Sequence, residues 1–392
     1  MLCSIILPVN ADCLNPLLKT IESLHRISYR QMEILCLYDE HAGKETPKTL
    51  QNAAGYADHL RLIPCCDENQ DDLALSTSAM LNLGIRHAEG EFLLFPTPGD
   101  IYDAVKLRKM CRRATALKVQ ILVMQSNSGP KNRKYGPSHA SDKNISAVSV
   151  LDEEINILRE LLPAHTGKVF AGTDIAADAF RLLSFNTDDK LFCTKFIREN
   201  GFFFSDSDSS QSGSASMSFT FPAIAAAERI LIDDHAAVYR ALSSYHSEAM
   251  FSVRPNGKYP LLSDCIEQET FRTAIEETLH ALQSRGLSAR WEQDLLNYCL
   301  HVLMWNLKAL RGEPFYDLYQ MLRRQDDWLI SVGIAQQDAG FWYNQEEYCQ
   351  LQYLLASQNA EEYLFVKMDE AKKHLCALQE QNRTLRQTAG RK

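Results

Sequence analysis

No stretch of the 392-residue sequence approaches the roughly eighteen to twenty consecutive apolar residues that span a bilayer. No transmembrane helix is therefore expected, and any membrane contact would be peripheral, at the inner membrane of a bacterial cell. The N-terminus, MLCSIILPVN, lacks the basic n-region and small-residue cleavage site of a signal peptide. Positive charge is also short: 41 Lys and Arg stand against 50 Asp and Glu, a formal net charge of −9. That balance argues against a nucleic-acid binder, which needs a concentrated Lys/Arg surface. The local cluster KLRKMCRR (106–113) reads as a solvated helix face. The eleven cysteines include no Cys-x-x-Cys pair and no metal-ligand spacing. Scattered through apolar segments, they read as reduced, small hydrophobes, a pattern that suits a cytoplasmic location. The signatures Gly-x-Gly-x-x-Gly, His-Glu-x-x-His and Gly-x-Ser-x-Gly are missing, and AHTGKVFAG (164–172) lacks the spacing of a P-loop.

What remains is ordinary globular composition, 45% hydrophobic and 23% charged, with a clear alternation of strand and helix signals over the first third. CSIILPV (3–9) is an apolar strand stopped by Pro8. NPLLKTIESLHR (15–26) places Leu17, Leu18, Ile21 and Leu24 on one helical stripe, with Asn15 as N-cap. MEILCLYD (32–39) and HLRLIPC (59–65) predict two more strands. SAMLNLGIRHAEG (78–90) predicts a helix closed by Gly90, and EFLLF (91–95) a fourth strand. A helix and the strand VQILVM (119–124) follow. Alternation at this pitch implies βαβ units and a mostly parallel sheet. DDKLFCTKFIRENGFFF (188–204) predicts a strand-turn-helix element. SDSDSSQSGSASMS (205–218) reads as a mobile surface loop, too polar to pack. FPAIAAAERILID (221–233) gives an Ala-rich helix and a strand, and helical periodicity dominates after about residue 260.

The C-terminal segment carries an a/d heptad seam: Leu364, Met368, Ala371, Leu375, Leu378, Asn382 and Leu385. Asn382 falls on an a position, where asparagine sets register in parallel two-stranded coils. The seam reads either as a short coiled coil joining a homodimer or hetero-partner through 364–385, or as an amphipathic helix lying on the helical region. The expected organisation is an α/β domain at 1–258, a helical domain at 259–358 and the amphipathic helix at 359–392.

The order SIILPVN, LLKTIESL, MEILCLYDE, HLRLI and LNLGIRHAEGEFLLF resembles the inverting family-two glycosyltransferases, whose pattern is roughly SIIIPVYN, EIIVVDDGS and ARNxGLKHAxGEYIxFLDSDD. The resemblance implies a GT-A fold, a Rossmann-like and mostly parallel nucleotide-diphospho-sugar transferase domain, followed by an α-helical C-terminal region. It implies a nucleotide-sugar donor, UDP-linked by default, and a glycan or lipid-linked acceptor.

The family's functional positions transfer one by one. The resemblance places Pro8 and Asn10 beside the nucleobase, with Asn10 where the family has an aromatic residue. Asp39 takes the base-reading carboxylate. The family's arginine in ARN aligns with Leu81, while Asn82 and Gly84 are kept. The family's Asp-Ser-Asp-Asp, whose first and third carboxylates hold Mg2+ or Mn2+, falls on Thr97-Pro98-Gly99-Asp100. Only Asp100 remains as a metal ligand, so a metal is expected to bind weakly or not at all. The position of the general base falls near Ala215-Ser216, and Asp206 and Asp208 are the nearby carboxylates that could substitute. Lys190 and Arg240 match a lysine and an arginine of the family and are candidates for the diphosphate. Each also has a structural alternative: a turn residue for Lys190, and an ion pair with Asp233 or Asp234 for Arg240. Two readings stay open, a glycosyltransferase of surface-polysaccharide assembly and a catalytically inactive transferase-fold partner of an active enzyme.

Overall fold

The computed structural model describes residues 2–9, 14–25, 32–39, 48–50, 59–65, 76–128, 164–175, 179–183, 185–205, 212–240, 265–287, 289–309, 312–324 and 326–389. By Cα proximity the chain forms two compact units, Met1–Pro260 with Glu269–Leu295, and Leu261–Gln268 with Leu296–Lys392.

The first unit is built on a nine-stranded sheet. Its strands are β1 (Cys3–Val9), β2 (Met32–Asp39), β3 (Leu60–Cys65), β4 (Phe92–Leu94), β5 (Ile101–Tyr102), β6 (Ile121–Ser128), β7 (Val169–Phe170), β8 (Lys190–Cys193) and β9 (Ile230–Arg240). The order is β3-β2-β1-β4-β8-β6-β9-β5, with β7 pairing β9. β3, β2, β1 and β4 are mutually parallel; β8 runs against both β4 and β6, and β9 runs with β6. The sheet is thus mostly parallel with reversed short strands β5, β7 and β8. Its helices are α1 (Leu14–His25), α2 (Thr77–His87), α3 (Ala104–Ala116), α4 (Ala179–Leu183), α5 (Thr194–Glu199), α6 (Ser212–Ala226) and, from Glu269 onward, α7 (Cys265–Ser284).

Strands buried on both faces read as continuous apolar runs, which is what β1 and β2 show. Cys3, Ile5, Leu7 and Val9 join Leu17, Ile21, Leu107 and Met110 of α1 and α3 in one core layer. On the opposite face α2 lies so close to β1 that a Cβ on Gly84 would meet Ile6 Cγ2 at 2.4 Å. Beyond it Phe95, Phe192, Phe204 and Phe219 form a continuous aromatic layer, Phe204 stacked on Phe219 with centroids 4.2 Å apart.

Three local expectations are corrected. Pro8 does not stop β1, which runs to Val9. The β4 ladder ends at Ile5, so Pro8 is flanked by β2 alone, an edge-like place where a missing N–H is tolerated. Gly90 does not close α2, which ends at His87; Arg198 of α5 donates to the carbonyls of Ile85 and Ala88 and so satisfies that helix end. The serine-rich tract is not a surface loop over its second half, because α6 begins at Ser212 and Met217, Phe219 and Phe221 are fully buried. A helix lined by Ala, Ser and aromatic residues on every side belongs in a core, and Ser218 settles its hydroxyl on the Ala215 carbonyl at 3.3 Å.

The N-terminal ends of the parallel strands are fastened by one carboxylate. Glu33 on β2, 1% exposed, lies opposite Ser4 of β1. Its Oε1 accepts from the Ser4 hydroxyl at 2.5 Å and from the Glu89 N–H at 2.6 Å, and its Oε2 from Arg61 of β3 at 2.9 Å. Ser4 Oγ in turn accepts from the Gly90 N–H at 2.7 Å.

The second unit holds the C-terminal half of α8 (Ala289–Ala309), with α9 (Glu313–Arg324), α10 (Asp326–Ser331), α11 (Gln345–Ala356) and α12 (Ala360–Ala389). Its core includes Phe315, Tyr319 and Tyr363, whose rings lie against one another. Tyr319 shares a hydrogen bond with Ser357 at 2.8 Å, and buried His301 meets Glu347 at 2.6 Å. Among the described residues no helix is long and apolar enough to cross a membrane.

Gly90 sits where a Cβ would lie 2.4 Å from the Ser4 nitrogen and 2.6 Å from the Cys3 carbonyl carbon. Backbone cannot move aside as a side-chain tip can. Gly90→Ala is expected to lower stability by about 1–3 kcal/mol, as overpacking does, with a matching fall in the urea midpoint; an unchanged midpoint would refute the close approach.

Candidate functional site

In an open α/β sheet ligands bind beyond the carboxyl ends of the strands, the end opposite the Glu33 network. Asp39 is the last residue of β2 and 6% exposed. Register places Tyr38 beside Val9, the end of β1, and Asp39 beside Cys65, the end of β3. Asp39 therefore stands at the junction of three strand ends. Pro8, half-buried, lies two residues from it across the ladder. Asn10 lies outside the described residues.

The segment after β4 is a turn. The Asp100 N–H donates to the Thr97 carbonyl at 3.1 Å, Pro98 occupies the second position and Gly99 the third with φ 101°. Proline then glycine at positive φ is the signature of a type II turn. The Gly99 N–H is tied to Thr20 Oγ1 of α1 at 2.9 Å. Asp100 is turned inward and only 1% exposed.

Asp100 and Arg240 are 140 residues apart in sequence, and each adjoins one end of the same strand pair. β5 pairs antiparallel with β9, the last pair being Ile101 with Tyr239, so Asp100 and Arg240 each lie one residue beyond the ladder. The side chain of Arg240 is not among those described. Asp233 is held by Arg113 at 2.9 Å, so that carboxylate already has a guanidinium partner.

Two other candidates are engaged by the scaffold. Asn82 donates to the Phe204 carbonyl and accepts from the Phe204 N–H, both at 2.8 Å. Lys190 is fully buried, its ammonium held by Asp189 Oδ1 and by the Asn186 carbonyl, each at 2.7 Å. The diphosphate role expected for Lys190 would require it to leave both partners. Asp206 and Asp208 lie outside the described residues. Leu81, where the resemblance expects an arginine, is buried in α2.

Asp188 was not singled out from the sequence. It is 8% exposed, its Oδ2 lies 3.5 Å from Thr97 Oγ1, and its carbonyl accepts from the Tyr102 hydroxyl at 2.9 Å. Because β8 runs against β4, the residues entering β8 share the edge where β4 leaves. The doublet Asp188-Asp189 directly before a strand was the available signal.

The family's metal site does not fit these residues. Thr97 offers a hydroxyl and Gly99 only backbone, poor donors for a hard divalent ion, and the remaining Asp100 is turned into the interior. Among the described residues no group of three or more His, Cys, Asp or Glu side chains could hold a metal.

No sequence model of a known family matches the chain, and no curated protein matches it. Among solved structures, S. aureus TarS 1–349 in complex with UDP-GlcNAc aligns with a TM-score of 0.57 at 15% identity, covering 95% of this chain and 92% of that one. The fold is GT-A. A mannosyltransferase, PcManGT from Pyrobaculum calidifontis in complex with GDP-Man and Mn2+, aligns at a TM-score of 0.41 and 14% identity, covering 85% and 84%. Glucosyl-3-phosphoglycerate synthase from Mycobacterium tuberculosis with Mg2+ and UDP gives 0.39 at 9%, covering 70% and 79%. The GT-A assignment rests on the first together with the strand order; at these identities the likeness concerns fold and not activity.

Asn82 is a tether in this GT-A domain. Asn82→Ala would leave a buried N–H and carbonyl of Phe204 without partners, at about 1–3 kcal/mol each. Chemical denaturation should show a loss on the order of 3 kcal/mol; a variant as stable as the parent would return Asn82 to the list of ligand-binding groups.

Proposed function

We propose that the carboxyl edge of β1, β2 and β4 binds a nucleoside diphosphate sugar, UDP-linked, whose sugar is transferred to a glycan or lipid-linked acceptor in surface-polysaccharide assembly. The observation that carries this is Asp39, a buried carboxylate held at the meeting of three strand ends in a GT-A fold. A carboxylate there can accept from the N3–H of uracil. The TarS structure, similar in fold, was determined with UDP-GlcNAc, which supports the choice of donor class.

In this reading the diphosphate is neutralised by Arg240 and not by a divalent ion. The β5–β9 ladder, whose last pair is Ile101 with Tyr239, supports this reading because Asp100 and Arg240 each lie one residue beyond that pair, and a guanidinium can stabilise charge on a leaving phosphate as a metal does. Asp206 and Asp208 are the proposed bases for the acceptor hydroxyl. A second reading, binding without turnover, is supported by Thr97 and Gly99 at the metal positions.

Calorimetric titration with UDP, in Mn2+ and again in EDTA, tests the proposal. Equal affinity in both is expected, and Arg240→Ala should raise Kd on the order of 10- to 100-fold, the size of a lost charge-assisted hydrogen bond. Binding that needs Mn2+ would refute the arginine substitution; no binding would refute the nucleotide site. Release of UDP from UDP-sugars by the same protein separates turnover from binding alone.

A further inference from the structure

Among the described side chains, α12 is anchored at its N-terminal end. Tyr363 is buried and Leu364, Val366 and Lys367 are half-buried, but every side chain described from Ala371 to Glu380 is exposed. The helix is 30 residues long, about 45 Å at 1.5 Å per residue. Phe365 is 73%, Met368 71%, Leu375 56% and Leu378 42% exposed. Solvated apolar side chains in a regular row mark an interaction surface. Met368, Leu375 and Asn382 take a positions, and Leu364, Ala371, Leu378 and Leu385 take d positions, so exposed Met368, Leu375 and Leu378 lie on the heptad seam and Phe365 flanks it at an e position.

We infer that this seam pairs with the same seam of a second copy, as a parallel, in-register two-stranded coil. Asn382 decides the partner. It interrupts an otherwise apolar stripe, a poor fit to lipid chains, where a polar group needs a partner. In a parallel homodimer Asn382 meets Asn382, and the two amides satisfy each other while fixing register. An antiparallel pairing would set it against a d-position residue. The charges agree with a protein partner and not an anionic surface: Lys373 is held by Asp369 at 2.7 Å and Lys367 by Glu370 at 3.2 Å within the helix. The second pair also neutralises the lysine that would face Lys372 of the other copy across the g–e′ contact.

Sedimentation of the whole protein over a loading series tests this. The expected mass is twice the 44.5 kDa of the chain, falling to one chain in Leu375→Asp/Leu378→Asp. Both positions are exposed, and an unchanged far-ultraviolet circular dichroism spectrum would show that the fold survives. In a Cys376→Ser background, Asn382→Cys should cross-link into a covalent dimer on mild oxidation, as a positions face each other only in the parallel register. Wild type of single-chain mass at every loading would overturn the inference. So would a dimer that survives the double substitution, or a monomer that floats with phosphatidylserine vesicles through this face.

Discussion

The parallel half of the sheet depends on a single buried carboxylate. Glu33 joins β1 through Ser4, β3 through Arg61 and the entry to β4 through the Glu89 N–H. A charge at 1% exposure is tolerable only when its oxygens are fully engaged, and removing a partner from such a group costs about 3–5 kcal/mol. The network lies at the amino ends of the strands. The amino ends of β1, β2, β3 and β4 are thereby tied together by hydrogen bonds.

Past β4 the chain makes a tight turn where the resemblance to family-two glycosyltransferases expects carboxylates. Pro98 and Gly99 make the backbone reverse sharply, and φ 101° at Gly99 is a conformation that an aspartate would adopt only with strain. At residue 99, one of the positions where that resemblance expects a metal-binding carboxylate, the turn geometry itself opposes one.

Much of the frame was legible because the strands are buried on both faces. MEILCLYD (32–39) matches β2 at both ends, and the stripe of α1 was visible in Leu17, Ile21 and Leu24. What was hidden depends on contacts distant in sequence. Asn82 and Phe204 are 122 residues apart, and nothing local marks Asn82 as a tether. Glu33 looks like an ordinary polar residue at a strand start until Ser4, Arg61 and Glu89 surround it. Residues 212–218 of α6 read as a loop because Ser and Gly resemble loop composition, whereas its Ala-rich end read as helix; small residues are also what a helix needs when aromatic side chains crowd it.

The central claim is that a nucleotide binds at the carboxyl edge without a metal. Hydrogen–deuterium exchange with and without UDP, in EDTA, tests it most directly. The account predicts slowed exchange confined to the ends of β1 and β2 near Val9 and Asp39, the turn 97–100 and the end of β9. No protection there, or protection that appears only when Mn2+ is added, would contradict it.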